Sequence, residues 1–180
     1  DGLPGSLRQG LRWLKCRRPT SADIVLILND DVSFDERFIE QGVHELRKKA
    51  KTLLLAKARE GLSGTIIETG VHADLKRMTF QPATAPEKIN CLSTRGLFLY
   101  YSDMKAIGGF HPFLLPHYWS DYEFTLRAAR KGFRLVTSDE TVLNIEPVET
   151  VLRRIEQMPV LPLKAFLKLY CSKKAVLTPV

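Results

Sequence analysis

Ile24-Val25-Leu26-Ile27-Leu28-Asn29-Asp30-Asp31 is an unbroken apolar run that ends in an amide and two carboxylates. A run of this length, rich in β-branched residues and bounded by turn formers, predicts a buried strand over Asp23–Leu28. Ionised side chains are costly to desolvate unless a cation or hydrogen-bond donors compensate them, so carboxylates leaving such a strand point to something held there. The next informative stretch, Trp119-Ser120-Asp121-Tyr122-Glu123-Phe124-Thr125-Leu126-Arg127, is an acidic pair opening an amphipathic helix. A strand end and a helix start of this kind can converge on one cleft and divide metal binding from proton transfer.

Outward from these stretches the chain reads as alternating helices and strands, the α/β rhythm. A helix over Ser6–Lys15 carries Leu7, Leu11 and Leu14 and is broken by Pro19-Thr20-Ser21. Ser33-Phe34-Asp35-Glu36 has capping-box spacing before a helix whose apolar face is Phe38, Ile39, Val43, Leu46 and Ala50, with Lys48, Lys49 and Lys51 at its C-terminal dipole. Leu53–Ala58 and Thr65–Glu68 read as strands around a hairpin-like turn, and Gly70–Lys88, with Pro82 and Pro86, as a polar surface loop. Leu97–Tyr101 reads as a strand. Ser102 is placed to cap a short helix, Asp103–Ile107, that Gly108-Gly109 ends. Ser120 begins a helix stopped by Gly132, and a strand over Phe133–Val136 follows.

At 180 residues and 44% hydrophobic, the chain can bury a core of its own. Cys16, Cys91 and Cys171 match no zinc or disulfide spacing, which indicates a reducing compartment. The apolar runs are far shorter than a membrane span. The formal net charge is +7, of which Arg153–Val180 alone carries +5, from six Lys/Arg and one Glu. A basic segment of this kind is either a solvated face or a contact for phosphate-bearing partners or an anionic leaflet. The chain opens at Asp1-Gly2-Leu3 and meets a buried strand almost at once, so upstream βαβ units are expected to belong to the same fold.

Leu28-Asn29-Asp30-Asp31-Val32, Thr94-Arg95-Gly96-Leu97 leading to Ile107-Gly108-Gly109-Phe110, and Ser120-Asp121-Tyr122-Glu123 followed by Arg127-Ala128 and Gly132 resemble, in order and spacing, the family 2 glycosyltransferases of GT-A fold. The resemblance runs from about Leu7 to Asn144 and is nearest in flavour to the bacterial rhamnosyltransferase-like branch. It implies an α/β class, GT-A (Rossmann-like), with a mixed, mainly parallel sheet flanked by helices and lacking the first strands of the nucleotide-binding half. Residues 1–146 would form the incomplete GT-A domain. Residues 147–180 would be a basic helical extension packed on it or on a partner.

The resemblance implies that Asn29-Asp30-Asp31 is the DxD-type element, with Asp31 in the metal-ligating place and a weakly held Mg2+ or Mn2+ as cofactor. Carboxylate oxygens suit such a cation, which would neutralise charge growing on a leaving diphosphate. Asp121 would be the general base that takes the proton of the acceptor hydroxyl, giving an inverted product. Ser120-x-x-Glu123 is also a capping box, and the macrodipole alone favours an Asp there, so capping and catalysis are compatible roles. Arg95 and Gly96 would contact the donor; His117, Tyr118 and Trp119 would stack on an acceptor sugar or anchor the loop. His44, His72 and His111 read as structural or solvated, and Arg127 as a partner for a carboxylate.

Two departures stand out: Ser120 occupies a place where the family commonly has Glu, and Asn144 a place where many members carry a metal-ligating His. The implied partners are a nucleotide-sugar donor and a glycan or lipid-linked glycan acceptor. The cytoplasm, at the inner face of the membrane, is the implied location, with homo-oligomer formation or peripheral membrane contact through Leu161, Leu163, Phe166, Leu167 and Tyr170 and their lysines. A phosphotransferase would need an Asp nucleophile where Asn29 stands. A non-catalytic nucleotide- or sugar-binding module remains the alternative. Nucleic acid is not indicated, because aromatic and basic residues do not interleave on a sheet.

Overall fold

The computed structural model describes residues 3–61, 64–110 and 120–145. In chain order these form α1 (Leu3–Cys16), β1 (Ile24–Ile27), β2 (Val32–Ser33), α2 (Phe38–Arg47), β3 (Thr52–Glu60), β4 (Ile66–Glu68), β5 (Val71–Asp74), β6 (Thr79–Pro82), β7 (Leu97–Tyr100), α3 (Tyr101–Ile107), α4 (Ser120–Arg130) and β8 (Arg134–Ile145). The main sheet has the order β1-β7-β3-β8-β2, with β4 paired to β3. β1, β3 and β8 run in one direction and carry most of its residues; β3 and β8 pair in parallel, whereas β7 enters antiparallel between β1 and β3. The fold is a mixed α/β sheet flanked by helices.

The period-2 alternation of the strands sorts their side chains onto two faces. Leu53, Leu55, Leu97, Leu99 and Leu135 face one cluster with Phe124 and Ala128 of α4, Met104 and Ile107 of α3, and Leu7, Leu11 and Leu14 of α1. Leu54, Ala56, Ala58 and Phe98 face the other, with Phe38 and Leu46 of α2. β1 is apolar throughout because both of its faces are covered: Val25 and Ile27 join the first cluster, and Ile24 and Leu26 the second. Each fully buried leucine contributes roughly 1.5–3 kcal/mol of transfer free energy.

Several sequence expectations shift. β8 extends through Ile145 rather than ending at Val136, because Ser138–Thr141 form a bulge. There Ser138 Oγ accepts the Thr141 N–H at 2.7 Å, and the strand then resumes on β3. Gly70–Lys88 is not a structureless loop. It holds the β5–β6 hairpin, in which Val71, Ala73, Phe80 and Pro82 pair across the strands on one apolar face and Ala73 is buried. Ser102 does not cap α3, whose first turn begins after Tyr100. Nor does Ser33 cap α2, which starts after Arg37 without a side-chain cap; Asp35 Oδ1 instead accepts the Arg37 N–H at 2.9 Å. The helix-ending role of Gly108 and Gly132 stands, with φ of 107° and 78°.

α2 reaches the sheet by a close approach at Gly42. A Cβ built there would lie 2.3 Å from Phe98 Cζ, a ring with no exposed surface. Gly42→Ala is expected to destabilise the fold by about 1–3 kcal/mol through overpacking, outweighing the helix-propensity gain. Gly10→Ala on α1, where nothing lies within 4 Å of the added carbon, should be neutral or stabilising by up to about 1 kcal/mol. Thermal unfolding of the two variants checks this; equal midpoints would refute the close approach.

Candidate functional site

The strand directions decide where the chemistry gathers. β1, β3 and β8 end at the same sheet edge, and α4 runs back along β8 from it, so its first turn returns to that edge. The strand end Asn29-Asp30-Asp31 and the helix start Ser120-Asp121 therefore share the C-terminal edge of the sheet, the edge where α/β folds hold ligands.

Segment 91–96 ties the two together. Thr125 Oγ1, fully buried on α4, accepts the Leu92 N–H at 3.0 Å and lies 2.9 Å from Leu92 O, so one hydroxyl engages both backbone groups. Four residues on, the Gly96 N–H donates to Ile27 O at 3.0 Å and Gly96 O accepts the Ala56 N–H at 2.9 Å, joining the segment to the end of β1 and the middle of β3. Four residues of chain span at most about 14 Å, which bounds the separation of the two acidic elements' supports. Cys91 begins the segment. Burial pushes its thiol up to about 12, Thr125 opposes the shift by hydrogen bonding, and the charge of Asp121 adds to it. A neutral, enclosed thiol is a packing residue rather than a nucleophile.

Asn29 and Asp31 carry a direct signature of an unfilled demand. Asn29 Oδ1 and Asp31 Oδ1 are buried and have no hydrogen-bond partner among the described residues. Buried oxygens without donors are uncommon and costly, and hard oxygen donors are what Mg2+ or Mn2+ requires. Asp30 is exposed and belongs to the turn. Arg95 lies two residues before Leu97 and Asn29 two residues after Ile27, the pair that closes the β1–β7 ladder. Gly96 has φ of 87°, and a Cβ there would lie 2.6 Å from Leu143 Cδ2, so glycine is demanded at this position by core packing and backbone conformation.

Asn144 is brought close by pairing: Val32-Ser33, directly after Asp31, pair with Ile145 and Asn144. Its Oδ1, however, accepts the Arg59 Nε–H at 3.1 Å, so the oxygen a cation would use already takes a guanidinium proton. The described residues contain no group of three or more His, Cys, Asp or Glu arranged to hold a metal. A divalent cation here would rely on the Asn29 and Asp31 oxygens and on the phosphates of a ligand.

At the other element, Asp121 is half-buried and its Oδ1 accepts the Tyr122 N–H at 2.9 Å. Glu123 serves a different purpose. Its carboxylate binds Arg127 at 2.7 and 2.8 Å, while the same guanidinium donates to Ile107 O and Gly109 O at 2.6 and 2.7 Å. Arg127 is thus the carboxylate partner the sequence suggested, and it locks the end of α3 to α4. His44 is exposed, and His72 Nδ1 lies 2.9 Å from Lys88 O. His117, Tyr118, Trp119 and His111 lie outside the described residues, as do residues 146–180 with the whole basic extension.

Sequence reading missed the supports of this edge. Phe80 of β6 stacks on Tyr122 with ring centroids 5.5 Å apart, placing the hairpin against the first turn of α4. Asn90 clamps that hairpin through Ala73, accepting its N–H at 2.7 Å and donating to its carbonyl at 2.9 Å. The one available signal was Thr125 itself, a polar β-branched residue on an apolar helix face.

No protein-family model matches the sequence, and no curated protein matches it. The fold is similar to the crystal structure of GalNAc-T7 with UDP, GalNAc and Mn2+, with a TM-score of 0.58 and 11% identity, over 81% of this chain and 30% of that one. That likeness is one of fold, and the architecture is GT-A-like. No helix among the described residues is long and apolar enough to cross a membrane.

Proposed function

We propose that this chain is the core of an inverting glycosyltransferase that moves a hexose from a nucleotide-sugar donor to a hydroxyl acceptor of a glycan or lipid-linked glycan. The observation that supports the reading is the pair of buried, orphaned oxygens on Asn29 and Asp31 at the end of an apolar strand, with segment 91–96 bracing that strand end to α4, the helix that Asp121 opens. The fold's likeness to a structure with UDP, GalNAc and Mn2+ points the same way.

In this reading Asn29 and Asp31 hold Mg2+ or Mn2+ together with the donor's phosphates, and Arg95 adds positive charge beside them. When bound, the cation supplies neutralisation of the departing diphosphate. Asp121 takes the proton of the acceptor hydroxyl as that oxygen bonds to the anomeric carbon. The bond from that carbon to the phosphate oxygen breaks on the opposite face, so the configuration inverts. His117, Tyr118 and Trp119 are proposed to receive the acceptor. The rhamnosyltransferase-like branch of family 2 and action at the cytoplasmic face of the membrane complete the proposal.

A second reading, a nucleotide-sugar-binding module without turnover, is favoured by one observation: the engagement of Asn144 by Arg59, which leaves few protein ligands for a metal. Calorimetric titration with UDP-sugars and other nucleotide-sugars, with and without Mn2+, tests both. The transferase reading expects Mn2+-dependent binding and release of free nucleotide on adding acceptor. Binding without release supports the module, and no binding by any donor ends both.

A further inference from the structure

The topology that gathers acids at one sheet edge leaves a basic plate at the other. α1 runs toward the start of β1, α2 runs away from the site edge, and β3 and β8 begin opposite it. Arg17 and Arg18, Arg47 and Lys48, Lys51, and Arg134 therefore come from separate elements to the same edge, and all six are exposed. Two are neighbours by backbone contact, with the Arg134 N–H donating to Lys51 O at 2.8 Å. The acids at this edge offset them only in part: Glu45 is paired with Lys49 at 2.5 Å, which leaves Asp23 and Asp103 against the six cations. Asp103 is half-buried, and desolvation raises its carboxyl above the ordinary range against the charge of Lys51.

Beside this plate stands Trp13 on α1, which is 60% exposed, more than any other large hydrophobic side chain among the described residues. α1 turns Leu7, Leu11 and Leu14 to the core, so Trp13 is not part of that packing stripe. Its ring lies 4.7 Å from the Arg17 guanidinium. An indole flanked by cations suits a lipid headgroup layer, where its apolar body and its N–H are both accommodated.

We infer that this N-terminal sheet edge, with Trp13, is a docking surface for an anionic lipid bilayer. Cations spread over several elements match a surface of many negative charges better than a single small anion, which would need converging donors. The inference does not depend on the reaction proposed at the opposite edge.

Co-sedimentation with vesicles of phosphatidylcholine alone, and with phosphatidylglycerol mixed in, tests it. Binding is expected only to the anionic vesicles and is expected to fall about tenfold or more in the triple variant Arg17→Glu, Lys48→Glu, Arg134→Glu. The indole emission of Trp13, read in a Trp119→Phe background, should shift to the blue on those vesicles. Equal binding to both vesicle types would overturn the inference. So would loss of binding only on Lys164→Glu with Lys168→Glu, which would put the contact on the C-terminal extension, or stronger retention by duplex DNA in competition at equal ionic strength. If the triple variant fails to fold, the Trp13 emission decides, and an unshifted spectrum is fatal to the idea.

Discussion

Replacing Asp121 by Asn is expected, on the proposed transferase reading, to lower sugar transfer by about 10²–10⁴-fold, the usual contribution of a positioned general base, while nucleotide affinity in the presence of Mn2+ stays unchanged. The substitution keeps shape and the capacity to accept the Tyr122 N–H, so the first turn of α4 should keep its geometry. The donor elements lie on β1 and segment 91–96, which Thr125 joins to α4. Initial rates of nucleotide release, paired with calorimetry of UDP and Mn2+, separate the outcomes. Parallel loss of binding and turnover would assign Asp121 to architecture, and undiminished turnover would remove it from the mechanism.

Asp31→Asn is expected to act in two opposite directions. The carboxylate oxygen Oδ1 is buried without a partner among the described residues, so the ligand-free chain carries a desolvated charge uncompensated on that side. Neutralising it should stabilise the ligand-free protein by about 1 kcal/mol. The same change removes the charged ligand proposed for the cation, and Mn2+-dependent UDP affinity should fall about tenfold or more, or at least about 1.4 kcal/mol. The companion Asn29→Asp should do the reverse, tightening Mn2+ while lowering ligand-free stability. Thermal unfolding with and without UDP and Mn2+ reads both signs in one experiment. A destabilised Asp31→Asn chain with unaltered UDP–Mn2+ binding would mean that the turn chemistry of Asn-Asp-Asp, not a ligand, explains these residues.

Much of this was legible in local sequence. The helix stop at Gly132 and the strands over Leu53–Ala58 and Thr65–Glu68 follow from backbone preference and hydrophobic pattern alone, and the structure shows each. The caps were less legible. Ser33 and Ser102 have the right chemistry, but α2 and α3 begin at Phe38 and Tyr101, whose buried rings set the helix starts. The β5–β6 hairpin escaped notice because each strand's apolar stripe is only two residues long, Val71 and Ala73 against Phe80 and Pro82. Its place is set by Phe80 on Tyr122 and by Asn90, contacts that no short window contains.

The sequence by itself determined most of the helices and main-sheet strands, and that an amide and two carboxylates close an apolar strand. Those are properties of a few consecutive residues, whose φ/ψ preferences and hydrophobic period act locally. Only the tertiary structure decided that β7 runs antiparallel beside β1, that Arg59 occupies Asn144, that Arg127 takes Glu123, and that Thr125 of α4 holds Leu92. Pairing direction and side-chain partners across 80 or more residues, such as Arg59 with Asn144, are chosen by the completeness of burial and of hydrogen bonding over the whole sheet, a condition that no local stretch can express.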